Sequence, residues 1–236
     1  MLAHGMAMAC NKSYRDMIIA DGAAYFWDFN DQPAATAAPT VPTVGGVALN
    51  VFGSPSAQPF TGDTKALMLN GSSQCAGINQ PLINNTNCSI EEWIKTSSKY
   101  GGIFGANNSG NNQTPTAYDK HCYLNSAGNI VFGVYSGGKR SDTSITNVCD
   151  NEHHHVVLSF SNNSTTLYID GATEKTINYV SSDSGKYPVF GYVYASTWSG
   201  YVSPWLNGLL ACPAIYNFAM TPEMAMRHYQ MGMQCL

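Results

Sequence analysis

A chain of 236 residues is long enough to bury roughly 70% of the surface that its unfolded form exposes, so its stability does not depend on staples. Charged residues make up only 11%, against about 25% in a typical soluble domain; the net charge is −4 and no Lys/Arg cluster occurs, which argues against a nucleic-acid partner. No apolar run approaches the roughly 20 residues that span a bilayer, so no membrane insertion is expected.

In chain order, Met1 to Ala9 lacks the basic start and apolar run of a signal peptide. Asn11 to Ala20 is the one helix expected in the first half, capped by Asn11 or Ser13 and stopped at Asp21-Gly22. Tyr14, Met17 and Ile18 fall on one face and read as a docking tether, so residues 1–23 are taken as an arm and 24–236 as one domain. Ala24 to Phe29 reads as the first strand, Gln32 to Thr43 as a surface loop, and Ala66 to Leu69 as a short strand. Ser89 to Thr96 alternates, with Ile90, Glu92 and Ile94 on one face and Glu91, Trp93 and Lys95 on the other. Gly101 to Gly105 reads as a buried strand, Asn107 to Pro115 as a loop, and Tyr123 to Tyr135 as a hairpin turning at Ala127-Gly128-Asn129.

The clearest signal is His153 to Gly171. His154 to Phe160 and Thr165 to Ile169 flank an Asn-Asn-Ser turn, and Asp170-Gly171 starts another. Val189 to Tyr194 and Leu209 to Tyr216 are the last strands. Thr221 caps a closing helix with Pro222 at its first position, a Met224, His228, Met231 stripe, and Gly232 at its end. No solenoid or propeller period occurs. This grammar is that of an all-β antiparallel sandwich with a short helix at each end.

Seven cysteines without CxxC spacing read as mostly buried free thiols rather than zinc ligands. His153 and His155 share a strand face and are able to chelate, but no carboxylate or cysteine in the local run completes a site, so strand-entry hydrogen bonds are expected. Glu91 and Glu92 point to opposite faces and fail as a glycosidase acid pair. Gly-x-Ser-x-Gly and phosphate loops are absent. The densest aromatic group is Trp198, Tyr201 and Trp205 with Tyr192 and Tyr194; at least one of the two tryptophans is expected to be exposed, as a glycan or protein contact. Asp28, Asn30 and Asp31 carry the hard oxygens that calcium prefers, although Asp28 and Asp31 read more simply as turn and cap residues.

Four ordered segments resemble the laminin-G-like, concanavalin-A-like jelly-roll family: Ala24 to Asp31, Cys88 to Lys95, His154 to Gly171, and Leu206 to Tyr229. The resemblance implies a two-sheet jelly roll, with His155 at the family's usual position before the valines. Relatives bind calcium near the first strand, but Pro33 to Pro39 departs from that pattern, and no Glu-x-Asp-x-x-Glu acid strand is present. Calcium is therefore not expected, and neither is hydrolysis. Tyr14 to Phe29 is similar to the helix-then-strand opening of such domains in tailed-bacteriophage structural proteins. That similarity implies a non-enzymatic virion component of capsid or tail, assembled with other virion proteins and its own copies and touching host surface glycans. A soluble or secreted lectin-like module is the alternative.

Overall fold

The computed structural model describes residues 13–32, 39–40, 42–83, 86–110, 113–181 and 185–236, without the Cys235 side chain. In chain order the elements begin α1 (Tyr14–Ala20), β1 (Tyr25–Phe26), β2 (Asn50–Phe52), β3 (Ser56–Pro59), β4 (Lys65–Asn70), β5 (Cys75–Gly77) and β6 (Cys88–Lys95). They continue with β7 (Gly101–Asn107), β8 (Tyr118–Leu124), β9 (Asn129–Tyr135), β10 (Lys139–Asn147), β11 (His153–Phe160) and β12 (Thr165–Ile169). Last come β13 (Ala172–Ile177), β14 (Tyr187–Phe190), β15 (Asn207–Tyr216) and α2 (Pro222–Cys235). No helix among the described residues is long and apolar enough to cross a membrane.

Two antiparallel sheets face each other. The first is ordered β13-β12-β11-β6-β15-β4-β3, with β1 added to β15; the second is β10-β9-β8-β7-β14-β5-β2. Alternation decides what lies between them. Ile90, Ile94, Val156, Leu158 and Phe160 from the first sheet meet Cys122, Leu124, Phe132 and Phe190 from the second in one buried core. The hairpin read from the sequence forms in register, Val156 opposite Ile169 and Phe160 opposite Thr165. The edge strands β10 and β13 are stitched together by Glu174, which accepts hydrogen bonds from the backbone N–H groups of Ile145 and Thr146 and from Thr146 Oγ1.

The outer face of the first sheet carries a second core, and both helices lie on it. Ser13 caps α1 by accepting from the Asp16 N–H, and Asp21 ends it. The tether reading is corrected here. Tyr14 and Ile18 are fully buried and Met17 nearly so, packed with Trp93, Val157 and Tyr216 of their own sandwich. The helix is therefore part of the domain, and a boundary after residue 23 cuts through a shared core. The first strand is also shorter than expected. Phe29 sits at φ 56 and Asp28 accepts the Asn30 N–H, so the chain turns where alternation alone predicts extension.

Gly232 does not end α2, which runs on to Cys235. It serves close approach instead: a Cβ there meets Trp93 Cζ2 at 2.2 Å. Trp93 is fully buried, with Tyr14 edge-on at 6.0 Å and Tyr229 stacked at 6.0 Å. Among the described cysteines, Cys75, Cys88, Cys122 and Cys212 are buried thiols and Cys149 is a half-buried one. Cys10 lies outside the described residues.

Candidate functional site

Two places gather chemistry-bearing side chains. The first is buried beneath the helices. Alternation in β6 turns Glu91 outward toward α2, and the sandwich supplies its partners. Glu91 Oε2 accepts from His155 Nε2 at 3.0 Å and from His228 Nδ1 at 2.8 Å, while Tyr216 Oη donates to Oε1 at 2.6 Å. His228 Nε2 lies 3.0 Å from Asp21 Oδ2, which also receives Arg227. Both nitrogens of His228 therefore face carboxylates, and only the doubly protonated imidazolium satisfies both. Burial works against this charge, but Glu91 and then Asp21 outweigh it and raise the His228 pKa. Burial also opposes the charge on Glu91; the His228 charge and the two histidine hydrogen bonds overcome it and hold the carboxyl well below the usual carboxylate range.

Glu91, His155 and His228 present ligand atoms within 4.8 Å of one another, which is metal-like spacing. A metal needs a lone pair on each imidazole. Both His228 nitrogens are spent as donors, so the cluster acts as an ionic lock joining sheet, α1 and α2. His153 is not part of it: its ring stands edge-on to Phe60 at 5.5 Å, so the His153–His155 pair forms no chelate. Glu92 points the other way, into the inter-sheet core. Its Oε2 has no hydrogen-bond partner, and burial pushes its pKa well above the carboxylate range.

The second place is the outer face of the second sheet, across which the segment 191–206 is laid. Gly102 makes room for it, since a Cβ there falls 2.2 Å from the Val193 backbone nitrogen. This burial corrects the exposed-aromatic reading. Trp198 is 6% exposed, its ring edge-on to His121 at 4.1 Å, and burial lowers the His121 pKa to about 3. Tyr192 is buried and packs on Trp205 at 4.7 Å, so this pair lies in one cluster while Trp198 belongs to another. Tyr201 packs edge-on to Tyr123 and donates to the Val193 carbonyl. The exposed apolar residue of the segment is Val202.

What remains open is a cleft of about 360 Å³ lined by Thr116, Tyr118, Tyr135, Lys139, Thr197 and the edge of Trp198. Tyr135 is 44% exposed. Tyr118 is held edge-on by Tyr194 at 5.4 Å, and its hydroxyl lies 3.3 Å from Thr197 Oγ1. Lys139 Nζ donates to the Thr197 carbonyl. No carboxylate lines the cleft. Asp119 below it is fully buried and already accepts from the Tyr135 and Lys120 N–H groups and from Ser181. Of the residues singled out from the sequence, Trp198 lines the cleft and Tyr194 braces it. Tyr118, Tyr135 and Lys139 were missed, being single aromatics and a lysine at strand ends with no local pattern.

The calcium candidates do not fit a cation. The Arg15 guanidinium occupies Asp28, with Nε 3.3 Å from Oδ2, and Asp31 accepts from Thr40.

Two sheets of this order, with an aromatic and hydroxyl-lined cleft on one outer face, define a lectin-type sandwich. The chain belongs to the concanavalin A-like lectin/glucanases superfamily, whose laminin G model matches residues 70–224. No curated protein sequence matches it. Among solved structures it is similar to domain 4 of AbnA, an extracellular arabinanase from Geobacillus stearothermophilus solved with arabinotriose (TM-score 0.65, 17% identity, 89% of this chain and 98% of that one). It is also similar to the binding domain of Paraclostridial Mosquitocidal Protein 1 (TM-score 0.63, 13% identity, 89% and 52%). The botulinum neurotoxin serotype D binding domain is a third (TM-score 0.59, 16% identity, 89% and 52%). This chain spans about half the length of the two toxin chains. At these identities the likeness is one of fold.

Proposed function

We propose that this protein is a non-catalytic carbohydrate-binding module whose sugar site is the Tyr118–Tyr135–Trp198 cleft. The observation that carries the reading is the cleft's composition: aromatic surface beside hydroxyls and one ammonium, with no acid in reach. Pyranose rings stack on aromatic faces and hydrogen-bond through hydroxyls, whereas glycoside hydrolysis needs two carboxylates flanking the bond. The arabinotriose held by the AbnA domain supports a saccharide ligand.

The test is a glycan array followed by titration of the best binder. Tyr135→Ala should weaken binding about tenfold or more, equivalent to about 1.4 kcal/mol, with an unchanged melting temperature. An array without binders, or a variant that binds like the parent, overturns the reading. Turnover of a polysaccharide overturns its non-catalytic part.

We further propose a setting for the module: the surface of a bacteriophage particle, in capsid or tail, with an extracellular lectin as the alternative. Support comes from the helix-then-strand opening Tyr14 to Phe29. Because Tyr14, Met17 and Ile18 of α1 are spent in the core, they do not serve as the attachment surface in this setting. Mass spectrometry of purified particles tests it, and absence of the protein from them refutes it.

A further inference from the structure

The helices cover the outer face of the first sheet only in part. One transverse row, Ala66–Ala211–Trp93–His155, lies in register beneath them. The next row is Met68–Leu209–Lys95–His153, in register across β4, β15, β6 and β11. It is left open as part of a trough of about 450 Å³, within the range of small-molecule sites.

The trough is amphiphilic and built. Met68 and Leu209 give it an apolar floor. Its rim is cross-bonded in advance: Asn207 Nδ2 donates to Ser98 Oγ at 2.9 Å, Thr96 Oγ1 to the Asn207 carbonyl at 2.6 Å, and the Ser98 N–H to Thr96 Oγ1 at 2.9 Å. Its charge is unbalanced. No Asp or Glu lines it, and Lys95 enters no salt bridge among the described residues. Beside Lys95, burial and then the lysine charge outweigh Glu152 and lower the His153 pKa, which favours the neutral ring. It therefore offers one donor and one acceptor rather than a second cation.

We propose that this trough is a second saccharide site, on the sheet opposite the aromatic cleft, and that it takes a carboxylate-bearing sugar. The Lys95 ammonium meets the carboxylate, Met68 and Leu209 underlie the ring, and His153, Ser98 and Asn207 meet the hydroxyls. A lone cation in a groove free of acids favours an anion over a neutral ligand of equal shape. Uronic acids and sialic acids share this chemistry.

The experiment is calorimetric titration of the full chain carrying Tyr135→Ala, so that the cleft and the trough are read apart. The probes are trigalacturonate and sialyllactose, with maltotriose and lactose as neutral controls. At least one acidic probe should bind, more weakly at 500 mM than at 50 mM salt. Lys95→Gln should weaken binding about tenfold or more at unchanged melting temperature, and Lys95→Arg should retain it. Binding of trigalacturonate alone assigns a uronate, and of sialyllactose alone a sialate. The proposal is overturned if neither acidic probe binds, if Lys95→Gln binds like its parent, or if the neutral controls bind as tightly.

Discussion

Replacing His228 by alanine tests the buried lock directly. The variant leaves Glu91 fully buried with Tyr216 and His155 but without its imidazolium, and leaves Asp21 with Arg227 alone. Removing one partner of a buried ion pair costs about 3–5 kcal/mol. At about 2–4 °C per kcal/mol for a domain of this size, the melting temperature should fall by about 6–20 °C. The pH dependence separates an ionic lock from simple loss of packing. His228 has a raised pKa in the folded state, so its contribution is fully present below its unfolded value of about 6.5 and is lost as pH rises through the folded value. Glu91 has a depressed one, so its contribution is present above about 4.5 and is lost as pH falls toward the folded value. The gap between parent and variant should therefore be widest between about pH 4.5 and 6.5 and narrow on both sides. His154, whose pKa Asp170 and Asp150 raise against the effect of burial, is common to both proteins and cancels in the difference. Thermal unfolding followed by near-ultraviolet circular dichroism from pH 3 to 9 gives the measurement. A gap that stays constant across that range refutes the ionic account.

Gly232→Ala should lower the urea midpoint by the equivalent of up to about 2 kcal/mol, because the collision of the new methyl with Trp93 costs about 1–3 kcal/mol against a helix-propensity gain of about 1 kcal/mol; a stabilised variant contradicts the close-approach role. Glu92→Gln should raise the melting temperature at pH 8 but not below about pH 4.5. The buried acid stays protonated when folded, and the unfolded chain gains by ionising above 4.5; an equal effect at both pH values argues against a neutral Glu92. Glu174→Ala should speed hydrogen exchange at the Ile145 and Thr146 amides by about tenfold, and unchanged exchange means that Glu174 does not hold the sheet edges together.

The sandwich was legible where alternation and turn chemistry coincide. The His154–Phe160 and Thr165–Ile169 hairpin and the opposite facing of Glu91 and Glu92 follow from the period of two. β10 was not legible: Lys-Arg-Ser-Asp-Thr-Ser-Ile-Thr-Asn has no apolar alternation, because an edge strand owes little to the core. Phe29 misled because its bulk reads as strand while its backbone turns. The lock was invisible because its members meet across 137 positions of chain, Glu91 to His228, and its histidine lies in a methionine stripe. An exposed residue was expected of the pair Trp198 and Trp205, yet Trp198 is buried and Trp205 half-buried; the signal for the burial of Trp198 lies elsewhere, in the glycines of β7 and β9 over which it and its segment settle.

Asp21 holds the start and the finish of the described chain against one side of the body, since Arg227 and His228 both close on it. A support that grips this helix-covered side would lie beneath the domain like a stalk beneath a dish, while the tyrosine cleft looks the opposite way. Many copies fixed to one support would all show this cleft outward. Even millimolar single contacts would then sum to a firm hold through avidity.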